Sequence, residues 1–145
     1  HAILPTLPRY TPRPIDVDRA GLVRLAVESW LDGCLAEGCA ARQAKRAAEL
    51  AEQGAAQQLQ RRIAADEQRH ADLAWDTLAW TLSQAGDEIR AALELLRDHR
   101  AAAPADADSP RGLERFGRVG ASEIDRICEQ HAGDSRERLD RLLSA

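Results

Sequence analysis

Methionine is absent from this 145-residue chain, aromatic residues supply only 3% of it, and Lys45 is the single lysine among 20 basic residues. With three Trp, one Tyr and one Phe, a core here must be assembled from small aliphatic side chains. β-branched residues, the usual material of strands, are sparse. No run approaches the ~20 consecutive apolar residues that a membrane-spanning helix needs. The formal net charge is -4, and no basic stripe is present of the kind that nucleic-acid binding requires. Cysteine is also scarce, at three residues: Cys34, Cys39 and Cys128. Cys34 and Cys39 lie five apart on one predicted helix and point in different directions, so three buried free thiols are expected in place of a disulfide framework.

What is abundant is alanine and charge. The hydrophobic fraction is 44% and the charged fraction 30%. Alanine is the strongest helix former, and its small side chain lets helices approach closely. The composition therefore predicts an all-α protein, long enough for one domain with a real core and too short for a second. The arginine and alanine excess is read as base composition, without functional meaning.

Along the chain, residues 1–17 hold four of the six prolines, Pro5, Pro8, Pro12 and Pro14, and should be extended. Residues 18–101 read as a helical hairpin with a third helix. Asp16 and Asp18 are candidate caps for a first helix reaching about Gln53, and Gly54 breaks it. A second helix follows from about Ala56 to Gln84. A third, roughly Asp87–Arg100, carries the apolar spacing Ile89, Leu93, Leu96. Residues 102–110 read as a linker rich in Ala, Asp and Pro. Residues 111–145 should form two short helices packing on the bundle. One follows Ser122, with Ile124, Ile127 and Cys128. The other follows Asp134, whose spacing to Glu137 is that of a capping box, and docks through Leu139, Leu142 and Leu143.

One constellation carries chemistry. Glu67-Gln68-Arg69-His70 is an ExxH motif, and positions i and i+3 of a helix share a face on which carboxylate and imidazole can hold one metal ion. The motif alone is weak: 11 Glu and four His yield one by chance with a probability of about 0.3. Its setting is more specific. The predicted apolar stripe of the second helix runs Leu59, Ile63, Glu67, His70, Ala74, Leu78, Thr81, which puts Glu67 and His70 in the middle of the face that should be buried. Glu37 repeats the anomaly on the first helix, among Trp30, Gly33, Cys34, Ala40, Ala41, Ala44 and Ala48. An ionised carboxylate is costly to bury without compensation, and a shared cation would compensate all three groups. In an antiparallel hairpin, residues equidistant from the turn meet. The midpoint of Glu37 and Glu67 is position 52 and that of Glu37 and His70 is 53.5, both at the Gln53-Gly54 break.

With these residues in place the chain resembles the second half of a ferritin-like di-iron carboxylate protein. The resemblance covers roughly residues 20–85. It rests on Glu28-Ser29-Trp30-Leu31-Asp32-Gly33-Cys34 with Glu37, then Ile63-Ala64-Ala65-Asp66-Glu67-Gln68-Arg69-His70-Ala71-Asp72-Leu73-Ala74-Trp75, and is narrowest to bacterial ferritin-like domain proteins. It implies the long antiparallel hairpin of a four-helix bundle, with Glu37, Glu67 and His70 as metal ligands. Asp66 would be a hydrogen-bond partner of a ligand histidine and Arg69 a member of the same network. Iron as a di-iron centre, with manganese as the alternative, would serve O₂-dependent oxidation of iron or of a small substrate, in the manner of a di-iron oxidase or oxygenase. The contrasting expectation is a non-catalytic structural or interaction module that keeps the fold without metal.

A complete site of this kind needs another Glu and another ExxH. Glu129-Gln130-His131 has the wrong spacing, and His99 has Leu96 at the required position. The partner is thus expected to be either an upstream half of the same protein or a second copy of the chain. The former is favoured, because the sequence begins with His1 and because residues 1–17, at about 3.1 Å each, reach roughly 50 Å, the length of a bundle crossover. Any targeting signal would then lie upstream, with the cytoplasm slightly favoured and an exported form left open. The remaining residues have plainer expectations. Trp30, Trp75 and Trp80 should pack in the core, and His1, His99 and His131 should lie on the surface.

Overall fold

In the computed structural model, which describes residues 18–52, 54–101 and 112–144, every regular element is helical. The Asp18 carboxylate accepts from the Gly21 amide at 2.7 Å, satisfying one of the donors that a helix start leaves unpaired. From there α1 (Arg19–Glu28) passes into a π-helical stretch (Ser29–Glu37) and then into α2 (Gly38–Leu50). The junction residues Ser29, Glu37 and Gly38 all keep right-handed helical backbone angles, so the three pieces form one rod. This is the expected first helix with a wider-wound segment inside it.

Gly54 turns the chain at φ +140° and ψ −156°, a conformation open essentially to glycine alone. Its expected neighbour in the break, Gln53, lies outside the described residues. Gln57 then reaches back, its amide 3.2 Å and 3.4 Å from the carbonyls of Ala48 and Ala51, where the end of α2 leaves acceptors free. The return helix α3 (Ala55–Gln84) runs antiparallel to the rod, and α4 (Gly86–Leu96) folds back after Ala85. The third helix is therefore shorter than the expected Asp87–Arg100.

Close approach within the hairpin depends on a small residue. A Cβ at Gly33 would overlap the Ala74 Cβ. Trp30 and Trp75 meet edge-on beside this contact, with centroids 5.9 Å apart at 71°. The Trp30 indole donates to the Leu96 carbonyl at 3.0 Å, so a core aromatic also satisfies an acceptor at the end of α4. Leu35, Leu78, Ile89, Leu93 and Leu139 are fully buried in the core. At about 25 cal/mol per Å², each buried Trp contributes roughly 4–6 kcal/mol of transfer free energy before entropy is counted. Trp80 departs from expectation, being 49% exposed.

The tail also departs from expectation. In place of two short helices, one helix, α5 (Ala121–Leu143), runs through both predicted segments. Asp134 caps nothing. Its carboxylate binds Arg42 of α2 at 2.7 Å, and its helical neighbours His131 and Ser135 are buried. Tertiary contacts on both sides of Gly133 hold the helix through it, and they outweigh a local capping signal. The expected docking residues do dock. Leu139 is fully buried, and Leu142 and Leu143 pack against the same cluster. Arg97 fixes this end with paired bonds to Asp140 at 2.6 Å and 2.5 Å. Before α5, a 3₁₀ turn (Glu114–Phe116) is tied to the hairpin end by a bond from the Glu52 amide to the Arg115 carbonyl. The expected crossover, 1–17, and linker, 102–110, lie outside the described residues.

The cysteines correct the sequence reading. Cys39 and Cys128 form a disulfide between α2 and α5, with Cα atoms 5.5 Å apart; Cys34 alone is free and buried. Helical spacing ruled out a bond between Cys34 and Cys39 but held no information about a pair 89 residues apart. Among the described residues, no helix is long and apolar enough to cross a membrane.

Candidate metal centre

Glu37 closes the π-helical stretch, and Glu67 and His70 sit one turn apart near the middle of α3. The antiparallel register brings them together. His70 Nδ1 lies 3.7 Å from Glu37 Oε2 and 3.7 Å from Glu67 Oε2. One ligand atom from each of the three lies within 4.8 Å of the others, the one such group of three or more His, Cys, Asp or Glu among the described residues. Ligands about 2.1 Å from one ion are about 3 Å apart when adjacent and about 4.2 Å when opposite. The two 3.7 Å separations fall within this span and the third pair lies within 4.8 Å, so side-chain adjustment would have to draw the set onto one cation. Two carboxylate oxygens and an imidazole form a donor set of the kind that divalent first-row metals take.

Burial is where the site differs from expectation. The side chains of Glu37, Glu67 and His70 are 40%, 29% and 59% exposed, respectively. The sequence stripe places them on a buried face, yet that face is only partly covered. Ala74, Leu78 and Thr81, further along the stripe, are buried, whereas Leu59 at its start is exposed. Leu73, one turn on from His70, is exposed too. The triad therefore sits on an accessible face with apolar neighbours.

Asp66 and Arg69 pair with each other on the exposed side of α3. Asp66 is thus engaged by Arg69 rather than by His70. Gln68 bonds Asp72 at 2.9 Å. Cys34, three residues before Glu37, is buried, and desolvation pushes its thiol up to about 12. A thiol so held stays protonated and makes a poor ligand.

His131 is the residue that sequence reasoning misplaced. It is buried, not on the surface. Its Nε2 lies 2.8 Å from the Cys34 carbonyl oxygen and 3.3 Å from Ser135 Oγ, while Nδ1 has no partner. Burial favours the neutral ring and pushes its pKa down, against the Cys34 bond, which raises it. The sequence did carry a signal for this: His131 lies between Ile127, Cys128 and Leu139 at helical spacing, on the face that docks. His99 is exposed as expected, and His1 lies outside the described residues. Comparison of the chain with known protein families, with curated proteins and with solved structures found no match.

Proposed function

We propose that Glu37, Glu67 and His70 form half of a ferritin-like carboxylate metal site, and that the chain is the ligand-bearing hairpin of a four-helix bundle. The observation that carries this reading is the convergence of two carboxylates and one imidazole, from two antiparallel helices, within 4.8 Å. Three protein ligands leave coordination positions free. A complete bundle would add a Glu and a second ExxH from an upstream half of the protein or from a second copy. Accessibility of the triad, with exposed Leu73 one turn from His70, suits a face that such a partner covers.

The metal, iron first and manganese as the alternative, would supply redox chemistry with O₂ for oxidation of iron or a small substrate. The chain's own part is to hold charge and geometry. Glu37 and Glu67 offset the cation's charge. His70 orients through Nδ1, and the i, i+3 spacing on a continuous α3 fixes its distance from Glu67. Anaerobic Fe(II) titration followed by metal analysis tests the reading. One ion per chain, two per assembled bundle, is expected, and Glu67→Ala or His70→Ala should abolish it. A protein that stays iron-free, with unchanged helicity in those variants, leaves only a helical structural or interaction module.

A further inference from the structure

We propose that His131 is a positioning residue for Glu37, fixing from α5 the helical turn on which that carboxylate stands. This rests on the metal reading above. The π-helical stretch ends at Glu37, and its hydrogen bonding is shifted from the α pattern. The Gly38 amide, which α-helical geometry would direct to the Cys34 carbonyl, bonds the Gly33 and Leu35 carbonyls. A π-wound stretch is rare and must give way to α winding somewhere, so a contact from outside can fix where it ends. His131 supplies one: its Nε2–H donates to the Cys34 carbonyl at 2.8 Å. The ring can reach because Gly38 has no side chain. A Cβ there would stand 2.5 Å from His131 Nε2.

The ring is well placed for this task. It is 8% exposed, Ser135 Oγ touches Nε2, and the disulfide partner Cys128 lies one turn earlier on α5. Thus α5 grips the winding change at two points, Cys39 and the Cys34 carbonyl, which bracket Glu37 in sequence. Among the described residues, the ring's hydrogen-bond contacts are those of Nε2 alone. Its Nδ1 is buried without a partner, a cost that an aliphatic residue would avoid. Only the Nε2 donor repays it.

The test uses the full chain with its disulfide intact. Amide hydrogen exchange without metal is read over residues 30–41, and Co(II) affinity is read from its visible absorption. His131→Leu removes the donor, and His131→Gln returns an N–H at similar reach. Gly38→Ala keeps the imidazole but pushes it off the carbonyl. His131→Leu should speed exchange over 30–41 while α3 stays protected. It should weaken Co(II) binding about tenfold, with His131→Gln within about threefold of the parent. If His131→Leu does not fold, Gly38→Ala carries the same expectation. Unchanged local exchange and Co(II) affinity in His131→Leu and Gly38→Ala, with only a lower melting temperature, overturn the proposal. If Glu67→Ala and His70→Ala also leave Co(II) binding unchanged, the metal reading is what fails, and exchange over 30–41 still decides whether the ring fixes the turn.

Discussion

Removing the Cys39–Cys128 bond should cost the protein a large share of its stability. The bond joins residues 89 apart. In the chain-entropy account, closing a loop of that length lowers the entropy of the unfolded chain by about 15 cal/mol/K, or about 4.5 kcal/mol at 25 °C. Native bridges commonly return somewhat less, so about 3–4 kcal/mol is expected. Both sulfurs are buried, and the Gln43 amide lies 3.2 Å and 3.3 Å from them. Alanine is therefore the suitable replacement, since serine would bury hydroxyls as well. Urea unfolding of the oxidised chain and of the Cys39→Ala/Cys128→Ala variant can be followed by circular dichroism and by fluorescence of the buried Trp30 and Trp75. At a slope of about 2 kcal/mol/M the midpoint should fall by roughly 1.5–2 M. The parent treated with reductant should fall with it. A shift under about 0.5 M in protein whose mass confirms the bond would refute the reasoning, because it would mean that the bridge constrains nothing the fold does not already hold.

Two further outcomes follow from packing and charge. Gly33→Ala should destabilise by about 1–3 kcal/mol in urea or thermal unfolding, because the new methyl overlaps Ala74 across two rods that cannot separate without loosening the Trp30–Trp75 contact. Arg97 hydrogen-bonds the Asp140 carboxylate and holds it below its ordinary pKa of 3.8. A lowered folded-state value means that the pair stabilises at pH above the unfolded carboxylate's value, and that this is lost as pH falls through the folded one. The midpoint difference between the parent and Asp140→Asn should thus be steady near neutrality and shrink below about pH 4.

Most of the helical framework was legible in the residues. Asp18 as a cap, Gly54 as the break and Ala-rich rods of matching length are local signals, and each reports a backbone preference that survives in the fold. The convergence of Glu37 with Glu67 and His70 was legible for the same reason. Once two straight helices meet at a known turn, distance from the turn determines which residues oppose. The tail was less legible. The Asp134–Glu137 spacing is a genuine capping signal, but Arg42 competes for Asp134, and burial of His131 and Ser135 decides the contest. The burial of His131 was foreshadowed only by its place between Ile127 and Leu139, and Trp80 gave no sign of exposure.

By itself, then, the sequence determined the helical class, the hairpin register and the three groups that converge. These follow from periodicity, capping and chain geometry, which act over a few residues or over one straight element. Only the tertiary structure decided that Cys39 reaches Cys128, that α5 is one helix, that His131 turns inward onto the Cys34 carbonyl, and that the triad's face stays accessible. Each of these depends on how distant elements lie across one another, which no local pattern specifies.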